Sequence, residues 1–274
     1  MNHRTLTVAL ISDVFYGSDA QQRLLARLTE AKNAGAELAV LPELPLNPWS
    51  PATKNARDDD AEAPNGPRHI MQRDAAKSIG IGLIGGAIVR DPNSGVRRNT
   101  SLIFDRTGSL LATYCKLHIP EEPGFWETSH YDAGMEPPTP IKGFAMPIGV
   151  QICSDINRPE GSHLLAAHGA EVILAPRATE LATYERWRTV FRANALTSCA
   201  FVLSVNRPAP EQDVLIGGAS IAVAPDGKVL LETTDPVGVV TLDSTQITKG
   251  KIDYPGYLPV RADLYAKGWA AVGH

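Results

Sequence analysis

Cys153 closes the apolar run Pro147-Ile148-Gly149-Val150-Gln151-Ile152-Cys153, and Pro159-Glu160 opens a helical stretch soon after it. A thiol at the tip of a strand sits on a rigid support. Backbone N–H groups of the turn that follows can lower its pKa and stabilise an oxyanion. The same residue also reads as a small buried hydrophobe. That second reading is the one given to Cys115, beside a strand interior, and to Cys199, at the end of a helix.

A nucleophilic cysteine needs a base. Of the seven histidines, His118 in Lys116-Leu117-His118-Ile119-Pro120 is the nearest by motif, while His163 and His168 lie on a helix and read as packing. A carboxylate beside a fixed ammonium is the other way to activate a thiol. Glu43 in Leu41-Pro42-Glu43 and Lys116 in Tyr114-Cys115-Lys116 end comparable apolar segments. A charged residue there is ordinarily a solvated rim residue. A thiol, a carboxylate and an ammonium, each at a strand tip, are harder to assign to the rim.

The elements that must position these groups alternate along the chain. Residues 5–12 read as a buried strand, Ser18 as the cap of a helix that stops at Gly35, and 36–45 as a second strand, so the chain begins βαβ. A polar excursion with Pro48, Pro51, Pro64 and Asp58-Asp59-Asp60 follows. Then come a helix at 68–79, a strand at 81–90, a turn at 91–95 and strands at 100–104 and 110–115. The second half repeats the pattern: strand 148–153, helix 160–168, strand 171–175, helix 183–198, strand 200–205, and a hairpin turning at Pro225-Asp226-Gly227. No fixed-period repeat and no Pro-, Gly- or Ser-rich linker divides it, so residues 1–274 are expected to form one α/β domain.

Composition bounds what such a domain does. With 26 Lys+Arg against 30 Asp+Glu, a net charge of −4 and 43% hydrophobic residues, the chain is neither disordered nor a nucleic-acid binder, which would carry a basic excess. No apolar stretch reaches the roughly 18 residues of a membrane span. Met1-Asn2-His3-Arg4 leads into a strand instead of a signal peptide, so a cytoplasmic protein is expected. Three cysteines imply no disulfide framework, and Asn99-Thr100-Ser101 matches a glycosylation pattern only incidentally. Neither paired histidines at one-turn spacing nor a CxxC is present, so no metal is expected. Gly80-Ile81-Gly82-Leu83-Ile84-Gly85 fits a dinucleotide fingerprint, but a helix precedes it and a strand follows, the reverse of what a phosphate cradle needs.

LPE at 41–43, YCKLHIPEEPGFWE at 114–127 and CSDINRPE at 153–160 resemble, in order and spacing, the Glu-Lys-Cys motifs of the nitrilase superfamily, the carbon–nitrogen hydrolases. The resemblance extends through GAEVILAPRA, RWRTVFRAN, SVNRP and GGASIAVAPDG, nearly the whole chain. It implies a four-layer αββα sandwich with pseudo-twofold βαβ halves, a homodimer or higher homo-oligomer built through helical faces, and thiol acyl transfer without a cofactor. By that likeness Cys153 attacks a carbonyl or nitrile carbon and Glu43 is the general base. Lys116 and the backbone N–H of Ser154 hold the oxyanion, and Glu127 positions substrate and Lys116. Two departures are Asn47-Pro48-Trp49, where many members carry Gly-Tyr, and His163, where relatives often carry arginine.

The resemblance is closer to the amidase and carbamoylase branches than to true nitrilases, which more often carry Trp-Glu directly after the cysteine. Arg158 and Arg177 are expected to overlook the pocket mouth, where a guanidinium grips a substrate carboxylate; ion pairs with Asp155, Glu160 or Glu180 are the competing reading. Trp49, Phe125 and Trp126 read as apolar walls or as core. The expected substrate is a small carboxylated amide or an N-carbamoyl amino acid. Nitrile hydrolysis and a non-catalytic scaffold are the alternatives, the latter disfavoured by the intact Glu43, Lys116 and Cys153.

Overall fold

A computed structural model describes residues 3–272. The first half runs β1 (Thr5–Ile11), α1 (Ala20–Asn33), β2 (Leu38–Val40), β3 (Ala61–Glu62), α2 (Pro67–Ile79), β4 (Gly82–Arg90), β5 (Arg97–Phe104) and β6 (Leu110–Cys115). A small hairpin, β7 (Glu121–Glu122) and β8 (Phe125–Trp126), leads to the second half. That half is β9 (Ile148–Val150), α3 (Pro159–Ala167), β10 (Val172–Arg177), α4 (Tyr184–Ser198), β11 (Phe201–Asn206), β12 (Ser220–Val223) and β13 (Val229–Thr233). β14 (Val237–Asp243), α5 (Ser244–Ile252) and α6 (Ala262–Ala270) end the chain.

The halves repeat one plan. In each, three parallel strands joined through helices (β1-β2-β4 and β9-β10-β11) are extended by two antiparallel strands (β5-β6 and β12-β13). β14 then adds to the free edge of β1, antiparallel, with Val8 opposite Val240.

Strands covered on both faces lose the polar-apolar alternation and read as continuous apolar runs. Here the two faces of β1 serve different cores. Val8 and Leu10 join Val40 and Ile84 against Ile148, Leu174, Leu203 and Val205 of the second sheet. Ala9 and Ile11 face the other way, with Ala39 and Leu83, onto Leu24 and Leu28 of α1 and Ala75 of α2. On the far side Ile173, Val202 and Ile221 pack under Leu165 of α3 and Phe191 of α4. The layers are therefore helix, sheet, sheet, helix, as the family likeness implied.

Helix ends follow the sequence closely. Gly80 closes α2 in the left-handed conformation, φ 67°, so it is a helix stop. Gly85 lies inside β4, where a Cβ would overlap the Gln72 side chain that fastens α2 to the strand through the Gly86 N–H. The G-x-G-x-x-G match is thus a packing feature. Ser18 is not the cap expected of it: α1 begins after Asp19, with no side-chain cap bond. The strands expected at 36–45 and 148–153 shorten to 38–40 and 148–150. From Ile252 to Val272 the chain is largely exposed, with Tyr257, Leu264, Tyr265 and Trp269 among its uncovered apolar side chains.

Candidate active site

Three chain segments leave the ends of β2, β6 and β9 and converge. After β2, Glu43 stands in a loop whose next residue, Leu44, has φ 48°. The loop is clamped by the buried Arg207, whose Nη1 donates to the carbonyls of Glu43 (2.9 Å) and Leu44 (2.8 Å) and Nη2 to that of Asn47 (2.9 Å). Glu211 neutralises that guanidinium at 2.7 Å. Lys116 follows β6 directly, and its N–H donates to the Asn99 carbonyl at 2.9 Å. Cys153 lies three residues past β9 and begins a short 3-10 turn, Cys153–Asn157, at φ 49°. A left-handed non-glycine residue costs on the order of 1–3 kcal/mol and persists only where its surroundings impose it.

None of the three is a rim residue. The side chains of Glu43 and Lys116 are fully buried, and Cys153 is only 4% exposed. Lys116 Nζ donates to Glu43 Oε1 at 2.8 Å and to Glu127 Oε2 at 2.5 Å. Asn99 Nδ2 donates to Glu43 Oε1 at 2.8 Å, and the Ala178 N–H to Glu43 Oε2 at 3.1 Å. The carbonyl of that same Ala178 accepts from the Cys153 thiol at 3.6 Å, so one residue spans the carboxylate and the sulfur. Tyr131 donates to Glu127 Oε2 at 2.6 Å, and Glu127 Oε1 is buried without a hydrogen-bond partner.

Burial and charge divide the protons among these groups. Burial, aided by the Glu43 carboxylate, pushes the Cys153 thiol well above its ordinary range despite the opposing Lys116, so the resting sulfur is protonated. Burial alone would lower Lys116, but the Glu127 and Glu43 carboxylates outweigh it and hold the ammonium charged. Burial raises Glu127 to about 7, with Lys116 pulling it down and Glu43 pushing it up. The pocket thus offers a thiol, a carboxylate within its electrostatic reach, and a permanent cation. That set suits attack on a polarised carbon with transfer of the thiol proton.

Other expected residues divide. Ser154 is half-buried on the Cys153–Asn157 turn, and its Oγ donates to the His118 carbonyl. Arg158 is exposed at the end of that turn. Trp49 is wholly buried behind the Glu43 loop, its Nε1 donating to the Gly124 carbonyl at 2.8 Å and its ring edge-on to Phe125. Trp126 is half-buried beneath the Lys54 ammonium. Arg177 requires a correction. It is fully buried, and donates to Thr179 Oγ1, Ser204 Oγ and the Ala219 carbonyl between the rings of Tyr184 and Phe191, so it does not overlook a pocket mouth. Desolvation lowers its pKa to about 10.

Sequence reasoning missed Asn99, Tyr131 and Arg207. Asn99 belongs to the glycosylation-like triplet but is buried on β5, pointed at Glu43. In the sequence Asn99 sits between Arg98 and Thr100, in the polar start of β5, and nothing there sets it apart. Tyr131 offered no signal either. Among the described residues no helix is long and apolar enough to cross a membrane, and no group of three His, Cys, Asp or Glu side chains gathers to hold a metal ion.

A family model described as carbon-nitrogen hydrolase matches residues 18–250. The 2-oxoglutaramate amidase of Paenarthrobacter nicotinovorans is 28% identical over 98% of this chain and 92% of its own. Human omega-amidase NIT2 is 26% identical over 91% of this chain and 92% of its own. Among solved structures, a carbon-nitrogen hydrolase from Helicobacter pylori superposes with a TM-score of 0.86 at 20% identity, covering 97% of this chain and 98% of the other.

Proposed function

The chain belongs to the carbon–nitrogen hydrolase family, and from that premise we propose that it hydrolyses a small carboxylated amide through a thioester on Cys153. The observation that carries this reading is the Lys116 ammonium held at 2.8 and 2.5 Å between two buried carboxylates, with the Cys153 thiol on the same Ala178 as Glu43. As sulfur bonds to the amide carbon, its proton passes to Glu43. The carbonyl oxygen becomes an oxyanion held by Lys116 and the Ser154 N–H. Collapse of the adduct breaks the C–N bond, Glu43 returns the proton, and ammonia leaves. Glu43 then takes a proton from water, whose oxygen displaces the sulfur to free the acid, and Glu43 passes that proton to the departing thiolate, restoring both groups. Glu127 orients Lys116 and, through its unpartnered oxygen, the substrate.

The relatives' names, an amidase of 2-oxoglutaramate and an omega-amidase, support an amide whose far end bears a carboxylate. The exposed guanidinium of Arg158 supports the same end of the molecule. N-carbamoyl amino acids share that carboxylate and belong in the same panel. Rapid mixing with such amides, read by mass spectrometry of the intact protein, is expected to give an acyl adduct on Cys153 that Cys153→Ala lacks. Ammonia release from amides and not from matching nitriles is expected alongside it. Release from nitriles alone, or no adduct with any amide, overturns the proposal.

We extend the proposal to residues 1–274 as one hydrolase domain, to residence in the cytoplasm and to a homo-oligomer. The apolar side chains exposed between Ile252 and Val272 support the last. Light scattering of the full chain tests it: a monomer at micromolar concentration removes it.

A further inference from the structure

The buried carboxylate of Asp155, two residues beyond Cys153, ties the nucleophile turn to the Lys116 segment. Its Oδ1 accepts from the N–H of Leu117 (3.1 Å), the N–H of His118 (2.9 Å) and the His118 ring Nδ1 (2.9 Å). Its Oδ2 accepts from the Tyr114 hydroxyl (2.8 Å) and from the Ile152 N–H (3.1 Å). Five donors thus converge on one carboxylate that is 1% exposed. Four of them come from Tyr114, Leu117 and His118, which bracket Lys116; the fifth comes from the residue before Cys153. A carboxylate oxygen accepts here, so the His118 ring contact puts a proton on Nδ1.

The geometry has one mechanical consequence. Cys153 sits in a left-handed conformation that its surroundings must impose, and Lys116 is the sole cation drawn up to Glu43 and Glu127 among the described residues. The bonds from Leu117 and His118 fix the backbone directly after Lys116 against the turn that carries both the sulfur and the Ser154 N–H. Ser154 Oγ, donating to the His118 carbonyl, adds a second tie between the same two segments. Neither tie reaches the pocket, so their effect on the sulfur passes through the spacing of the two arms.

We propose that Asp155 is a positioning residue that sets the distance between the Lys116 ammonium and the Cys153 sulfur, and thereby the reactivity of that sulfur. The proposal rests on reading Cys153 as the nucleophile. Its test is independent of which amide, or whether any amide, is the substrate. The three cysteines are alkylated with iodoacetamide, whose carbon bonds to sulfur with loss of iodide and of the thiol proton, and the rate at each cysteine is followed by peptide mass spectrometry.

In Asp155→Asn, which keeps the shape but places an amide N–H₂ against backbone donors, Cys153 is expected to react about 100-fold more slowly, the scale of a 1 Å misplacement. Cys115 and Cys199 are expected to keep their parental rates. Simple loosening of the fold would instead speed all three, and that result overturns the proposal, as does a Cys153 rate within about twofold of the parent. Should Asp155→Asn not fold, Tyr114→Phe removes one donor while the carboxylate stays. It is expected to slow Cys153 about fivefold, the worth of one hydrogen bond of about 1 kcal/mol; an unchanged rate overturns the proposal. Amide turnover by the parent is scored separately, so its absence removes the proposed function and leaves the alkylation result to decide on Asp155.

Discussion

Lys116 and Glu43 are fully buried and stand 2.8 Å apart, although 73 residues separate them in the chain. Glu127, 2.5 Å from the same ammonium, gives that one cation two anions to hold. Removing one partner of a buried ion pair costs far more than a surface pair is worth, because the remaining charge keeps its desolvation penalty.

Lys116→Met should therefore lose about 3–5 kcal/mol in urea unfolding at neutral pH. Adding Glu127→Gln should restore a large part of that, since only one of the two buried carboxylates then remains. The single variant should also weaken as pH rises, because one of its carboxyls holds a proton in the folded state and not in the unfolded. A single variant as stable as the double at alkaline pH would mean that the two carboxylates do not sense each other.

Glu127 predicts a pH effect in the parent protein. Burial raises its folded-state pKa to about 7 from an ordinary 4.5. Below about 4.5 the group is protonated in both states and costs nothing. Between 4.5 and about 7 the unfolded chain releases the proton while the folded one keeps it, so stability falls with rising pH, by roughly 3 kcal/mol in all at 1.4 kcal/mol per pKa unit. Glu127→Gln should lack that component. Urea titrations near pH 5 and pH 8 give the change in each protein, and the parent should lose the more; equal losses would contradict the buried carboxyl.

What the sequence revealed and what it hid follow from the range of the interactions involved. Helix boundaries at Pro67, Gly80, Pro159 and Cys199 match the structure within a residue or so, because caps and breakers act locally. Strand ends at Val40 and Val150 were overshot. Leu41 to Leu46, and Gln151 to Ile152, are as buried as any strand, and apolarity alone does not tell a ladder from a packed loop. Glu43, Lys116 and Cys153 stood out because charged or thiol groups end apolar runs. Asn99 and Arg207 did not, because their partners lie 56 and 164 residues away. Arg177 was placed wrongly for the same reason: its burial depends on Ser204 and Ala219, which nothing near it in the chain announces.

Arg207 should matter for activity without touching the reacting atoms. Its planar fork meets the carbonyls of Glu43, Leu44 and Asn47 together with Glu211, a pattern a lysine ammonium cannot copy. Arg207→Lys is expected to cost roughly 2–4 kcal/mol of stability through unsatisfied buried carbonyls. It should also lower kcat more than it changes KM, since the Glu43 loop loses its anchor. Unchanged kcat in a folded variant would show that the loop holds Glu43 by itself.

The substrate contact proposed for Arg158 can be tested apart from the structural place of Arg177. Arg158 is exposed at the end of the Cys153–Asn157 turn, and a charge-assisted bond to a substrate carboxylate is worth about 1.5–3 kcal/mol. Arg158→Ala should thus raise KM for a carboxylated amide about tenfold or more while leaving KM for a neutral amide of equal length unchanged. Arg177 is fully buried and already donates to Thr179, Ser204 and Ala219. Arg177→Met should shift both substrates alike, and its main effect should be on the melting temperature. Steady-state ammonia release with the paired substrates distinguishes the two. A selective effect at Arg177 and none at Arg158 would move the carboxylate contact to the wrong arginine and refute the assignment.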